Sequence, residues 1–333
     1  MRNLKNALTF CFILIINTYS QEATGITFNE FLAQVNLLEK NEQFGEAKEL
    51  TMANWDKFIE ERFSMIKELE YLNEKLELYE ENLKLWSKAH DDGYFFFLNT
   101  RIARFKPYLD FPQFEPLTIK DAELKEAALS KSSTVYKVVE AINYDEEKNY
   151  PLILIFHGGG RNLERAIESW KLTEIMKSDY IVVYLQSYLH YDSETYGWRT
   201  SDERIHNDIK KIYSELIDNY KIDTSRVMLC GISAGGSMAF DIAFTKAIPV
   251  HGVVTFCPGK PRNLQQSHLN SSEQRIYMLG GENDFYLEQQ KELASMFELA
   301  EIKYIQIIVP GMGHDFPENY TERMNEAISF INE

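Results

Sequence analysis

The sequence predicts an α/β protein: a mostly parallel central sheet flanked by helices, preceded by a small helical region. Three observations carry that prediction. From Thr134 onward, short continuous apolar runs alternate with helical stretches, which is the pattern of strands buried on both faces. Between Thr27 and Asp92 the chain is rich in Glu, Lys, Leu and Ala, lacks proline and carries one glycine, Gly45. The stretch Cys230-Gly231-Ile232-Ser233-Ala234-Gly235-Gly236 sets a serine in a glycine-flanked turn between a strand-like and a helix-like run.

At the amino terminus, Arg2 and Lys5 precede an apolar run from Ala7 to Ile16, and Thr18 and Ser20 follow it. A basic head, a short apolar run and small residues are the layout of a secretory signal peptide, and the run is short for a membrane span. Residues 1–20 are therefore expected to be removed and the protein exported, to the periplasm or outside the cell. Cys11 lies in the leader without a lipoprotein cleavage context, so only Cys230 and Cys257 of the three cysteines remain. Both end strand-like runs and read as small buried hydrophobes. Sequence leaves open whether they pair.

Residues 21–95 form the helical region. Within it Leu37–Ala47 and Leu72–Asn82 look alike at a spacing near that of helix-turn-helix repeats. They resemble tetratricopeptide repeats weakly, and a plain Glu/Lys-rich hairpin imitates the same pattern. Two roles are open for these helices, covering the cleft of the following domain or recruiting a protein partner. Residues 96–133, with Pro107, Pro112 and Pro116, read as a connector that packs, because its aromatic content is too high for a solvated linker.

Residues 134–333 are the expected catalytic domain. Its strands are read at Val135–Ala141, Pro151–Phe156, Tyr180–Leu185, Val227–Cys230, Val250–Phe256, Arg275–Leu279 and Tyr304–Val309. Its helices are read at Leu163–Ser178, Arg204–Tyr220, Ser237–Thr245, Leu287–Leu299 and Glu318–Ile331. A formal net charge of −16, from 51 acidic and 35 basic residues, repels nucleic acid and anionic membranes, so neither is expected as a partner.

Acyl transfer needs a nucleophile, a base, a group that orients the base, and donors for the oxyanion. Ser233 in its glycine turn has the setting of a nucleophile elbow. Phe156-His157-Gly158-Gly159-Gly160, directly after a strand, is the kind of loop whose bare backbone donates to an oxyanion; one amide is assigned to Gly159 or Gly160 and another to Ala234. His157 reads as a structural hydrogen-bonder that fixes this loop. His314, between Gly313 and Pro317 after the last strand, is the expected base. Asp284 is preferred over Glu282 as the orienting acid, because its longer loop offset lets it turn back toward His314. A helix cap would also suit an aspartate there. Trp198 and Arg199, in the aromatic-rich stretch 187–202, are tentative substrate contacts.

The order Ser233, Asp284, His314, together with the His157–Gly160 loop and the Gly313–Pro317 loop, resembles the α/β-hydrolase superfamily over roughly Val135–Glu333. Within it, the chain is similar to the phospholipase/carboxylesterase and secreted esterase groups. The resemblance implies a serine hydrolase that cleaves carboxylic esters, from small molecules or polymers, through an acyl-enzyme, with no metal or organic cofactor. A peptidase on the same fold and a catalytically inert partner-binding protein are the competing readings. The large cap common in the family has no room between these strands, and the amino-terminal helices lie outside the family pattern.

Overall fold

The computed structural model describes residues 26–270 and 272–333, so the leader read over residues 1–20 lies outside the described residues. The described residues divide into two compact units, the first running to Leu124 and the second spanning Lys125–Glu333.

The first unit is helical: α1 (Phe28–Lys40), α2 (Phe44–Ala53), α3 (Arg62–Lys75), α4 (Tyr79–Asp91), a short 3-10 helix (Ala103–Tyr108) and the first part of α5 (Phe114–Lys131). Thr27 caps α1 with a capping box: its side chain accepts from the Glu30 amide, and the Glu30 carboxylate takes the Thr27 amide. Residues 96–124 do not connect; they complete this unit's core, where Phe96, Phe105, Tyr108 and Phe114 pack with Phe63 and Trp86. The tie is Asp121, 1% exposed, whose carboxylate accepts from the amides of Phe96 (2.6 Å) and Leu98 (2.9 Å) and faces His90 Nε2 at 3.1 Å. A buried carboxylate needs such donors, and it draws the aromatic stretch onto α5.

The second unit holds seven strands: β1 (Val135–Val139), β2 (Tyr150–Phe156), β3 (Ile181–Gln186), β4 (Ile222–Ile232), β5 (Gly252–Phe256), β6 (Arg275–Gly281) and β7 (Tyr304–Val309). They form one sheet in the order β1-β3-β2-β4-β5-β6-β7, antiparallel only between β1 and β3. Strand alternation sends Leu152, Leu154 and Phe156 of β2 into the core on one face, and Ile153 and Ile155 into the core on the other. Helices α8 (Glu203–Asn219), α9 (Ala234–Phe244) and α11 (Leu287–Leu299) cover the first face with Ile209, Phe240 and Phe297. Helices α6 (Leu163–Ser169), α7 (Glu174–Asp179) and α12 (Tyr320–Asn332) cover the second with Ala166, Met176 and Ile328. All seven residues of β2 are buried, and each large aliphatic side chain so placed contributes roughly 1.5–3 kcal/mol.

The expected helix over Leu163–Ser178 is broken in two. Trp170 turns its ring into the core, 1% exposed, and Thr173 then caps α7 by accepting from the Met176 amide. A one-turn helix, α10 (Gln266–Leu269), is added to the set read from sequence, and β4 starts at Ile222, five residues ahead of the apolar run. Because β2, β4, β5, β6 and β7 run parallel, their carboxyl ends share one edge. From that edge emerge His157, Ser233, Cys257, Asp284 and His314.

Candidate active site

Ser233 follows β4 with φ 55° and ψ −123°, a backbone conformation that costs on the order of 1–3 kcal/mol for a side-chain-bearing residue. The surroundings impose it. A Cβ on Gly231 would stand 2.3 Å from the Gly235 carbonyl oxygen, and one on Gly235 would stand 2.2 Å from that of Phe156, so only glycine fits at either place. The Ser233 amide donates to Phe256 O of the neighbouring strand at 3.0 Å, which pins the turn to the sheet.

His314 and Asp284 come from the loops after β7 and β6. His314 Nδ1 and Asp284 Oδ1 are 2.8 Å apart, and the carboxylate also accepts from the Tyr286 amide (2.9 Å) and Gln290 Nε2 (2.7 Å). Burial raises the carboxyl's pKa, but hydrogen bonds from the Tyr286 amide, His314, Gln290 and Cys257 outweigh it and hold the group below its ordinary value. Glu282 instead accepts the Gly311 amide at 2.8 Å and braces the loop that carries His314. Ser233 and His314 line one cleft of about 530 Å³, within the usual range for small-molecule sites.

The glycine loop separates the two amides that sequence left as alternatives. Gly160, at φ +70°, gives its amide to Tyr196 O at 2.9 Å, so it is not free for an oxyanion. The assignment to Gly160 is thereby corrected: its N–H is spent holding the loop. Gly159 lies against Ala234, a Cβ built on it standing 3.7 Å from the Ala234 Cβ, and neither amide donates to a protein acceptor among the described residues. His157, 1% exposed, donates through Nδ1 to Gly158 O at 2.6 Å. Burial pushes its pKa down to about 4, so it stays neutral and structural at ordinary pH.

Trp198 and Arg199 are not brought to the cleft. Trp198 is 8% exposed, packs edge-on against Phe156 and donates through Nε1 to His157 O at 3.0 Å, so it supports the glycine loop from behind. Arg199 points into solvent and pairs with Asp202 at 3.8 Å. The cleft instead presents Arg161, Arg165 and Lys171, none joined in a salt bridge among the described residues, with Glu168 and Asp315 as its carboxylates. Sequence reading missed these cations because Arg165 and Lys171 lie on and after a short helix with no motif, and only the fold carries that helix to the serine.

Cys230 and Cys257 are free, buried thiols, which closes the question of their pairing. Cys257 is more than filler: its Sγ lies 3.4 Å from Asp315 O and 3.8 Å from Gly313 O, on the loop that carries His314. Cys257, Asp284 and His314 place one ligand atom each within 4.8 Å of one another. Burial, first, and the neighbouring Asp284 charge push this thiol up to about 12, and the imidazole and carboxylate are already bonded to each other. A thiol that stays protonated and an imidazole already bonded to the carboxylate are poor metal ligands, so that chemistry disfavours a metal site.

The parallel sheet with its antiparallel first strand, the strained serine turn after β4, and the acid and histidine loops after β6 and β7 define an α/β-hydrolase fold. Residues 192–329, less than half of the chain, match the Dienelactone hydrolase family model, a stretch holding Ser233, Asp284 and His314 but not the glycine loop. Among solved structures, an uncharacterized protein from Bacillus cereus ATCC 10987 is 21% identical, with TM-score 0.51, covering 92% of this chain and 100% of its own. The Bacillus cereus carboxylesterase is 19% identical, with TM-score 0.50, covering 62% of this chain and 99% of its own. Esterase PE8 is 14% identical, with TM-score 0.50, covering 60% and 98%. Among curated proteins none matches the sequence.

Proposed function

We propose that the protein is an exported serine hydrolase that cleaves carboxylic esters through an acyl-enzyme on Ser233. The observation that carries this reading is the His314–Asp284 hydrogen bond on the same cleft as a serine held in a strained turn beside two unspent amides. With Nδ1 committed to Asp284, Nε2 is the nitrogen that takes the Ser233 proton as Oγ attacks the ester carbonyl. The amides of Gly159 and Ala234 receive the oxyanion. The tetrahedral adduct collapses, the C–O bond to the alcohol breaks, and His314 returns the proton to the departing alkoxide. Water, deprotonated by the same nitrogen, then frees the acid and restores Ser233.

The family-model match and the structural likeness to esterase PE8 and the Bacillus cereus carboxylesterase support an ester as substrate. In the cleft three cations face two carboxylates, and this local excess, working against the repulsion of anions by the chain's net charge of −16, favours an ester that carries a negative charge of its own. The amino-terminal layout supports export. The test is fluorophosphonate labelling of the purified protein, read by intact mass beside Ser233→Ala. One adduct on the wild type and none on the variant is expected; no adduct on either would overturn the serine mechanism and return weight to a partner-binding role for the chain.

A further inference from the structure

Phe285 stands out among the apolar side chains of the second unit. It is 69% exposed, and of the large exposed hydrophobic residues among those described it alone lines the cleft that holds Ser233. Its ring stacks on the His314 imidazole, centroids 4.1 Å apart and planes 29° from parallel, and meets Tyr286 edge-on at 4.6 Å. The exposure follows from the turn. Asp284 Oδ1 accepts the amide two residues on, at Tyr286, which folds the backbone tightly and pushes the intervening side chain outward. One ring face is thus occupied by the histidine, and the rest is offered to the cleft.

An isolated apolar residue on a surface needs no explanation. One stacked on the proposed base and placed on the wall of the proposed active site does. We propose that Phe285 is a specificity-determining residue that receives an aromatic ring of the ester against its open surface. The substrate class would be esters whose acid or alcohol part bears an aryl group next to the scissile bond. This deepens the serine-hydrolase reading and rests on it. The physical basis is ring geometry: an aromatic partner matches the quadrupole of Phe285 in an offset or edge-on arrangement, while a saturated ring of the same size supplies bulk without that match.

The test compares matched methyl esters, methyl phenylacetate against methyl cyclohexylacetate, and matched acetates, benzyl acetate against cyclohexylmethyl acetate, on the full chain. In at least one pair the wild type is expected to favour the aromatic member by about fivefold in kcat/KM, the factor a single aromatic contact supports. Phe285→Leu is expected to bring that ratio close to one, the aromatic member losing about fivefold more kcat/KM than the saturated one. A wild-type ratio near one in both pairs, or a ratio unchanged in Phe285→Leu, overturns the proposal. Equal loss on both members with a displaced acid limb of the pH profile also overturns it, assigning the ring to holding His314 instead. If fluorophosphonate fails to label Ser233, the serine-hydrolase reading falls; if the label forms and the ratios are flat, only the role of Phe285 does.

Discussion

Asp284 Oδ1 stands 2.8 Å from Nδ1 of His314, although 29 residues and a whole helix–strand unit separate the two in the chain. The bond sets which imidazole nitrogen faces the cleft. Asp284→Asn keeps the shape but can stabilise the other tautomer, so kcat is expected to fall about 10³-fold or more with KM little changed. Steady-state kinetics on one ester substrate checks it.

The same carboxylate makes stability depend on acidity. Its folded pKa lies below the ordinary value of an aspartate, so the stabilisation it brings is present above the unfolded value and is lost as pH falls through the folded one. Wild type is expected to lose stability more steeply than Asp284→Asn below about pH 4. Denaturant melts of both proteins from pH 5 to pH 2 measure the difference.

Ser233 trades stability for position. Ser233→Gly releases a φ of 55° and is expected to raise stability by about 1 kcal/mol while abolishing turnover. Ser233→Ala abolishes turnover too, yet keeps a Cβ and hence the strain. A thermal melt in which the alanine variant gains as much as the glycine variant would contradict this account of the turn.

Cys257, at the end of β5, ties that strand to the histidine loop through its contacts with Asp315 O and Gly313 O. Its burial and raised pKa make it unreactive, so neither Cys230 nor Cys257 is expected to titrate with a thiol reagent at neutral pH until the protein is unfolded. Cys257→Ala removes the donor that holds the histidine loop at Asp315 O, and a several-fold lower kcat is expected, with Cys257→Ser retaining more activity than the alanine variant.

The cleft cations act at a distance. Arg165→Glu with Lys171→Glu reverses the cleft's charge, and kcat/KM for an anionic ester such as a monomethyl dicarboxylate is expected to drop about tenfold relative to its neutral dimethyl counterpart. The gap should narrow as salt shortens the screening length. Rates at low and high ionic strength decide it.

In the helical unit, Glu68 of α3 meets Glu39 of α1. Burial, then the hydrogen bond and charge of Glu39, raise its pKa from 4.5 to about 8. The folded unit therefore holds a proton that the unfolded chain releases, and stability is expected to fall as pH rises from about 4.5 to 8. Glu68→Gln should flatten that decline. Hydrogen exchange of α1 and α3 amides across this range reports it.

Much of this protein was written locally. Continuous apolar runs such as Ile153–Phe156 and Ile181–Leu185 reveal strands because a strand covered on both faces has nowhere to place a polar side chain. The glycines around Ser233 reveal the turn because backbone approaches within it admit no Cβ. Residues 96–124 escaped because what draws them into the helical core is one carboxylate, Asp121, more than twenty positions downstream of the amides it binds.

The sequence by itself determined the sheet, the serine turn and the residue types that follow each strand, since these obey rules of period and turn chemistry spanning a few residues. Only the tertiary structure decided which of them act together. It gave the Gly160 amide to Tyr196 and left that of Gly159 unspent, buried Trp198 behind the loop, and carried Arg165, Lys171 and Phe285 to the cleft. The physical reason is that hydrogen-bond partners and cleft walls are set by the distances between chain segments after packing, and residue order carries no direct record of them.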